Sequence, residues 1–263
     1  MKIRLLRRIT QLATIALLIA VPLLNLKGID VLAGSLYSMA IGPVWITDPL
    51  SGLQVILITL SADTKLLLSM SLPVAFALVF GRVFCAWICP QNLLSEIADY
   101  LRNKIGLERL IKLPPSSLPR YAVLAIMLTL ALVAGFPAAN LISAPGIISV
   151  QISEFIMTGT AGIELLLIGA IIMIEFLVIR RVWCNYICPV GGFLGIFRTT
   201  KTMKVVYQSE TDQCIKCGAC VKACQLELNP MGGTIYPLCH NCGDCIAACE
   251  KATNKKNPLS FRF

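Results

Sequence analysis

The chain divides unevenly by its hydrophobic and polar positions. Through the first two hundred residues, long apolar runs alternate with short charged segments; beyond residue 205 such runs stop. Residues 9–26 carry no charge. Residues 66–81 form a second run that continues through 83–89, and residues 121–139 and 163–179 form a third and a fourth. A helix needs about 20 mostly apolar residues to cross the hydrocarbon of a bilayer, and each run approaches that length with its flanks. Unpaired backbone in lipid is costly, so helices are the expected form. The pattern predicts an all-α transmembrane domain of four helices over residues 1–200. A separate polar domain follows over 205–263, joined by a basic linker near 198–204.

Composition supports this division. Of 263 residues, 57% are hydrophobic and 14% charged, against about 25% charged in ordinary soluble domains. The net charge of +9 would suggest nucleic acid or an anionic surface in a soluble protein. Here the cations sort by loop, and no nucleic-acid partner is expected. Lys2, Arg4, Arg7 and Arg8 precede the first run. Arg82, Arg102, Lys104, Arg109, Lys112 and Arg120 lie between the second and third, and Arg180, Arg181, Arg198, Lys201 and Lys204 follow the fourth. The loop over 138–164 has no Lys or Arg. The positive-inside rule then puts both termini in the cytoplasm, as a multi-pass protein of a bacterial inner membrane. Val31-Leu32-Ala33 before Gly34 resembles a signal-peptidase site, but the preceding run exceeds the usual length of about 7–15 residues, so no cleavage is expected.

The membrane half is duplicated. Cys85-Ala86-Trp87-Ile88-Cys89-Pro90 recurs as Cys184-Asn185-Tyr186-Ile187-Cys188-Pro189, and Ile46-Thr47-Asp48-Pro49 resembles Ile142-Ser143-Ala144-Pro145. Two copies of a two-span unit share one orientation, so the repeat is parallel and two-fold. Both Cys-x3-Cys-Pro motifs are then expected at the cytoplasmic end. Residues four apart on a helix share a face, and the following proline is expected to end or kink that helix.

Eight of the twelve cysteines lie in the tail. Cys214, Cys217, Cys220 and Cys224 are followed, with the same spacing, by Cys239, Cys242, Cys245 and Cys249. This is the spacing of bacterial ferredoxins with two [4Fe-4S] clusters, in which the fourth cysteine of each run serves the other cluster. The first cluster is expected on Cys214, Cys217, Cys220 and Cys249, the second on Cys239, Cys242, Cys245 and Cys224, in an α+β two-cluster ferredoxin domain. Disulfides are disfavoured in a reducing compartment, and zinc needs fewer cysteines. Gln225 and Glu250 stand where proline usually follows the fourth cysteine.

His240 is the single histidine, which excludes a bis-histidine haem within this chain. It reads as a polar loop residue beside the second cluster. Cys85, Cys89, Cys184 and Cys188 are either small apolar fillers or, if the halves converge, a further metal, iron–sulfur or disulfide redox centre. Glu175 lies nine residues before Cys184, about 13 Å deeper along a continuous helix. An intramembrane carboxyl is a candidate for proton transfer or for an inter-helix hydrogen bond. Asp48, Asp63, Glu154 and Glu164 read as solvated loop charges.

Together the four runs, the paired Cys-x3-Cys-Pro motifs, the two tail motifs, Thr47-Asp48-Pro49-Leu50 and residues 81–90 resemble the NapH/MauN family. The resemblance covers nearly the whole chain. It implies a quinol dehydrogenase membrane component, oxidising quinol at the membrane half. Electrons would pass through the cysteine sites to a second ferredoxin-type protein, similar to NapG, that feeds a periplasmic reductase such as nitrate reductase. A cytoplasmic tail would require electrons to cross back, or would serve another step. Other relatives imply an alternative, electron delivery for the maturation of a copper or other redox enzyme. A purely structural membrane anchor for a ferredoxin is the third reading.

Overall fold

In the computed structural model, residues 2–28, 32–108, 110–111, 113–208, 214–232, 235–253 and 258–263 are described. Val31 of the candidate cleavage motif and the loop cations Arg109 and Lys112 lie outside them.

Helix α1 (Lys2–Leu26) is the one helix among the described residues long and apolar enough to cross a membrane. It buries Arg7, Gln11, Leu18 and Val21 and exposes Leu5, Leu12 and Leu23. The buried residues recur at four and seven, the period of one helix face, while the leucines form a greasy outer face. Next comes a small antiparallel sheet, β1 (Leu32–Gly34), β2 (Ser38–Ile41) and β3 (Val44–Thr47), with Leu32 opposite Ile41 and Ser38 opposite Thr47. Helix α2 (Pro49–Thr59) starts with Pro at its first turn, where the missing N–H is no loss, and the Asp48 carboxylate accepts the Ser51 amide at 3.1 Å. Helix α3 (Thr64–Phe80) follows.

The second apolar run does not continue as one helix through residue 89. Gly81 ends α3 with φ +67°, a conformation that glycine adopts without strain. The chain turns into α4 (Val83–Trp87) and α5 (Pro90–Ile105). The second half repeats this order. Helices α6 (Leu118–Ala134), α7 (Ala138–Leu141), α8 (Ala144–Thr158) and α9 (Glu164–Leu177) lead to a π-helical turn (Trp183–Ile187) and α10 (Pro189–Ile196). The third and fourth runs thus form helices of 17 and 14 residues, roughly 25 and 21 Å long at 1.5 Å per residue, shorter than α1. The halves interlock: α1 packs on α8 of the second half, and α6 packs on α2 of the first.

The tail pairs β4 (Lys204–Tyr207) with β5 (Leu259–Arg262) in antiparallel fashion. It packs α11 (Ala219–Lys222) on α12 (Asp244–Ala252). Val205, Leu226, Ile246 and Leu259 form its core, with Ile3 and Cys184 from the other half packed against it. A buried ionic cluster joins the halves. Arg7 reaches Asp244 at 3.0 Å and Glu96 at 3.5 Å, Arg4 reaches Asp244 at 3.1 Å, and Arg8 reaches Glu96 at 2.6 Å. Gln225 donates to both Asp244 (2.6 Å) and Glu96 (3.1 Å). The residue that replaces the usual proline therefore ties the tail to the helical half, which a proline could not do.

Candidate redox site

Each tail motif forms the same backbone loop. Lys216 and Asn241, two residues after the first cysteine of each run, have φ +53° and +54°; Gly218 and Gly243, after the second cysteine, have φ +68° and +77°. Left-handed residues in such loops turn successive N–H groups inward and make an anion-binding concavity. Cys249 lies within electrostatic reach of Cys220, Cys214 and Cys217. Cys224, Cys239, Cys242 and Cys245 line one small apolar cavity. The fourth cysteine of each run thus stands beside the other run's first three, and the sets abut where Cys245 senses Cys220. Burial pushes the Cys239 thiol up to about 11 and raises Cys224, Cys242 and Cys245. Such thiols stay protonated until a metal displaces the proton. Among the described residues no three Cys, His, Asp or Glu side chains are arranged to hold a single metal ion. Two sets of four thiols are the ligand count that two iron–sulfur cubes take, one thiolate at each iron.

His240 lies in a loop and lines the same cavity as Cys224, Cys239, Cys242 and Cys245. It is 3% exposed, with no partner on either ring nitrogen. Burial and the charges of Arg82, Arg181 and Arg7 push it well below the usual histidine range, so it is neutral.

The four cysteines of the helical half also converge. Cys89 is within electrostatic reach of Cys85 and Cys188, and Cys184 of Cys188 and Cys89. The prolines do more than end a helix: Pro90 and Pro189 open α5 and α10, so Cys89 and Cys188 become the N-caps. Cys188 Sγ accepts the Gly191 amide at 3.4 Å. The second cysteine of each pair therefore sits at the positive end of a helix.

Glu175 is not about 13 Å from the cysteine pair. Helix α9 ends at Leu177, and the chain reverses through Arg181 at φ +52°. Glu175 Oε1 then accepts the amide of Trp183, next to Cys184, at 3.1 Å. Asp48 is also no solvated loop charge; it caps α2 and lines an apolar cavity of about 280 Å³ with Leu72, Phe76, Phe84 and Ile88. Gln151 donates to both Glu154 (3.0 Å) and Glu164 (3.2 Å).

Positional reading of the cations missed Arg82, Arg120 and Arg181, which are 4%, 0% and 1% exposed. Arg82 donates to the carbonyls of Pro237 (3.1 Å) and Leu238 (2.7 Å). Trp87, between Cys85 and Cys89, donates to the carbonyl of Asn241, between Cys239 and Cys242, at 3.1 Å.

Comparison with known proteins fits this chemistry. A family model described as a 4Fe-4S binding domain matches residues 63–108 and 161–201, the two segments that carry the Cys-x3-Cys-Pro motifs. The methylamine utilization ferredoxin-type protein MauN of Methylorubrum extorquens is 33% identical over 83% of this chain and 73% of its own length. The chain belongs to the MauN/NapH family of ferredoxin-type proteins. MauN of Methylobacillus flagellatus is 30% identical over 71% of the chain and 64% of its own length. The ferredoxin-type protein NapH of Haemophilus influenzae is 27% identical over 86% and 77%. No solved structure matches the chain. As a MauN/NapH protein it carries a 4Fe-4S binding domain, and its cysteine-rich tail closes over the matched segments.

Proposed function

We propose that the protein is a membrane-embedded electron-transfer subunit that oxidises quinol. It passes the electrons through [4Fe-4S] clusters to a second ferredoxin-type protein, similar to NapG, that serves a periplasmic reductase such as nitrate reductase. The chain crosses a bacterial inner membrane four times, with both termini and the tail on the cytoplasmic side. The tail holds two clusters, on Cys214, Cys217, Cys220 and Cys249 and on Cys239, Cys242, Cys245 and Cys224. Each cluster supplies one-electron storage; the chain's residues hold it and exclude water.

The observation that carries this reading is the sequence of thiol sets: four in the helical half, then two abutting sets in the tail, joined by the Trp87–Asn241 hydrogen bond. The contact of Arg4 and Arg7 with Asp244 supports a shared side for the N-terminus and the tail. Quinol as donor is supported by the apolar cavity beside Phe84 and Ile88, which flank Cys85 and Cys89. Its volume is near the lower end of small-ligand pockets, about 300–1,000 Å³, and takes a ring headgroup while the tail stays in lipid. Asp48 is the one carboxylate in its lining and takes one of the two protons that quinol releases on giving up two electrons, the other passing to water.

The test is anaerobic: reduced quinol is added to the purified protein and the clusters are followed by EPR. Reduction supports the reading; clusters that dithionite reduces but quinol does not, with the partner present, overturn it. A second reading, electron delivery for maturation of another redox enzyme, draws on the same sets of thiols. That reading expects no quinol turnover.

A further inference from the structure

Helix α5 is turned inside out. Its buried side chains include Gln91, Asn92, Ser95, Glu96 and Arg102, while Ile97, Tyr100, Leu101 and Ile105 are exposed. A surface helix in water shows the reverse, with its apolar stripe facing the core. Ile97, Leu101 and Ile105 recur every four residues, the spacing of one helix face. Helix α1 packs on α5 and turns out a second apolar face, with Leu5, Ile9 and Leu12 exposed. Arg4 and Arg8, one turn apart on α1, flank that face with side chains 47% and 46% exposed.

Between these two helices and the tail lies a cavity of about 410 Å³, within the size range of small-ligand pockets, about 300–1,000 Å³. Its cations are Arg4, Arg7 and Arg8 of α1, Arg180 and Arg181 beyond α9, and Lys222 of α11. Its carboxylates are Glu96 and Asp99 of α5 and Asp244 of α12. The carboxylates are shared: Asp244 holds Arg4 and Arg7, Glu96 holds Arg7 and Arg8, and Asp99 holds Arg180 and Arg181. Six cations against three anions leave the lining with an excess of positive charge. Glu227, 3.8 Å from Arg180 and 37% exposed, offsets little of it. Arg7 Nε and Arg181 Nη2 are also buried without a hydrogen-bond partner. Like charge crowded into a half-buried cavity is destabilising unless an anion joins it.

A soluble anion would meet the charge and leave both apolar faces in water. A phospholipid meets the two together, since basic pockets between helices on the cytoplasmic side take anionic headgroups. We propose that this cavity binds an anionic phospholipid of the cytoplasmic leaflet. Its phosphate diester sits among Arg4, Arg8 and Lys222, and its acyl chains lie on the outer faces of α1 and α5. The cations come from α1 and from the tail, so the lipid fastens one to the other. Ala223 and Gln225, on either side of Cys224, line the same cavity, and Arg180 donates to the Cys224 carbonyl at 3.1 Å. The headgroup therefore rests against the cysteine-rich loop. This inference rests on the membrane placement proposed above.

The experiment uses the full chain, reconstituted into nanodiscs of phosphatidylcholine with or without a fraction of phosphatidylglycerol. Native mass spectrometry counts the lipid that leaves with the protein, and thermal melting reads the attachment of the tail. Phosphatidylglycerol should be retained at least tenfold above its share of the bilayer and should raise the melting temperature. Arg8→Gln with Lys222→Gln should remove that preference, and Leu101→Gln should weaken it. Equal retention of both lipids by wild type, or an unchanged preference in the double variant, overturns the site and leaves the membrane reading standing. A chain that enters neither bilayer removes both. Release of the retained lipid by inorganic phosphate or by oligoglutamate assigns the cavity to a soluble anion or an acidic protein segment, and overturns the lipid. If the double variant does not accumulate, the wild-type preference and Lys222→Gln, a change to an exposed side chain, still decide the site.

Discussion

Replacing Asp244 by alanine should loosen the tail from the helical half, and the contact geometry sets how much. Its carboxylate meets Arg7 at 3.0 Å between side chains 9% and 3% exposed, and accepts from Gln225 at 2.6 Å. Removing one partner of a buried ion pair costs about 3–5 kcal/mol, because the remaining charge stays buried. Arg7 keeps Glu96 at 3.5 Å, which holds the loss to the lower end, about 3 kcal/mol. The Arg4 contact adds little, since that side chain is 47% exposed and such pairs are worth ~0–1 kcal/mol. A loss of about 3 kcal/mol is roughly a hundredfold in the docked-to-undocked ratio. It is read by denaturant titration in mixed micelles with tryptophan fluorescence, Trp87 reporting from the junction itself. Replacing both partners with apolar residues, Asp244→Leu with Arg7→Met, should recover most of the loss. A single variant within 1 kcal/mol of wild type, or a double variant as weak as the two losses summed, would refute the clamp.

Further outcomes follow from the same contacts. Cys249→Ser should abolish the tail cluster that includes Cys214 and leave the other, while Cys224→Ser should do the reverse; EPR of each variant distinguishes crossed from sequential use of the two runs. Gly243→Ala should cost about 1–2 kcal/mol from its left-handed backbone alone, and more because the new Cβ would meet Ile3 Cγ2 at 2.5 Å; thermal melts and iron retention measure it. Leu72→Trp changes an exposed residue in the cavity lining. It should slow quinol-driven reduction at least tenfold while dithionite reduction is untouched, and equal slowing of both would count against the cavity.

What could be read from residues alone was what depends on period and spacing. An uncharged run as long as residues 9–26 admits few structures besides a helix, and the cysteine intervals restrict which thiols can share a centre. The duplication was visible because Cys-Pro recurs. The role of those prolines was not, since a proline that stops one helix also suits the first turn of another, and only the packing of α5 and α10 decides. Helices α2 and α8 were hidden in segments expected as outer loops, being apolar but short. Glu175 was misplaced because its distance assumed a straight helix, and the turn at Arg181, a residue with a Cβ at φ +52°, carries no sequence mark. Arg82, Arg120 and Arg181 looked like interfacial cations because burial of an arginine depends on partners far away in sequence.

The bond between Arg4 and Asp244 spans 240 positions of the chain, which gives biogenesis a fixed order. At about 5–20 residues per second of synthesis, the first arginines wait roughly 10–50 s for their last acidic partner. Glu96 arrives earlier and shields Arg7 and Arg8 in the interval. Only when α12 emerges does the cationic end of α1 gain its second carboxylate, so a chain stopped short of Asp244 leaves Arg4 and Arg7 without that partner.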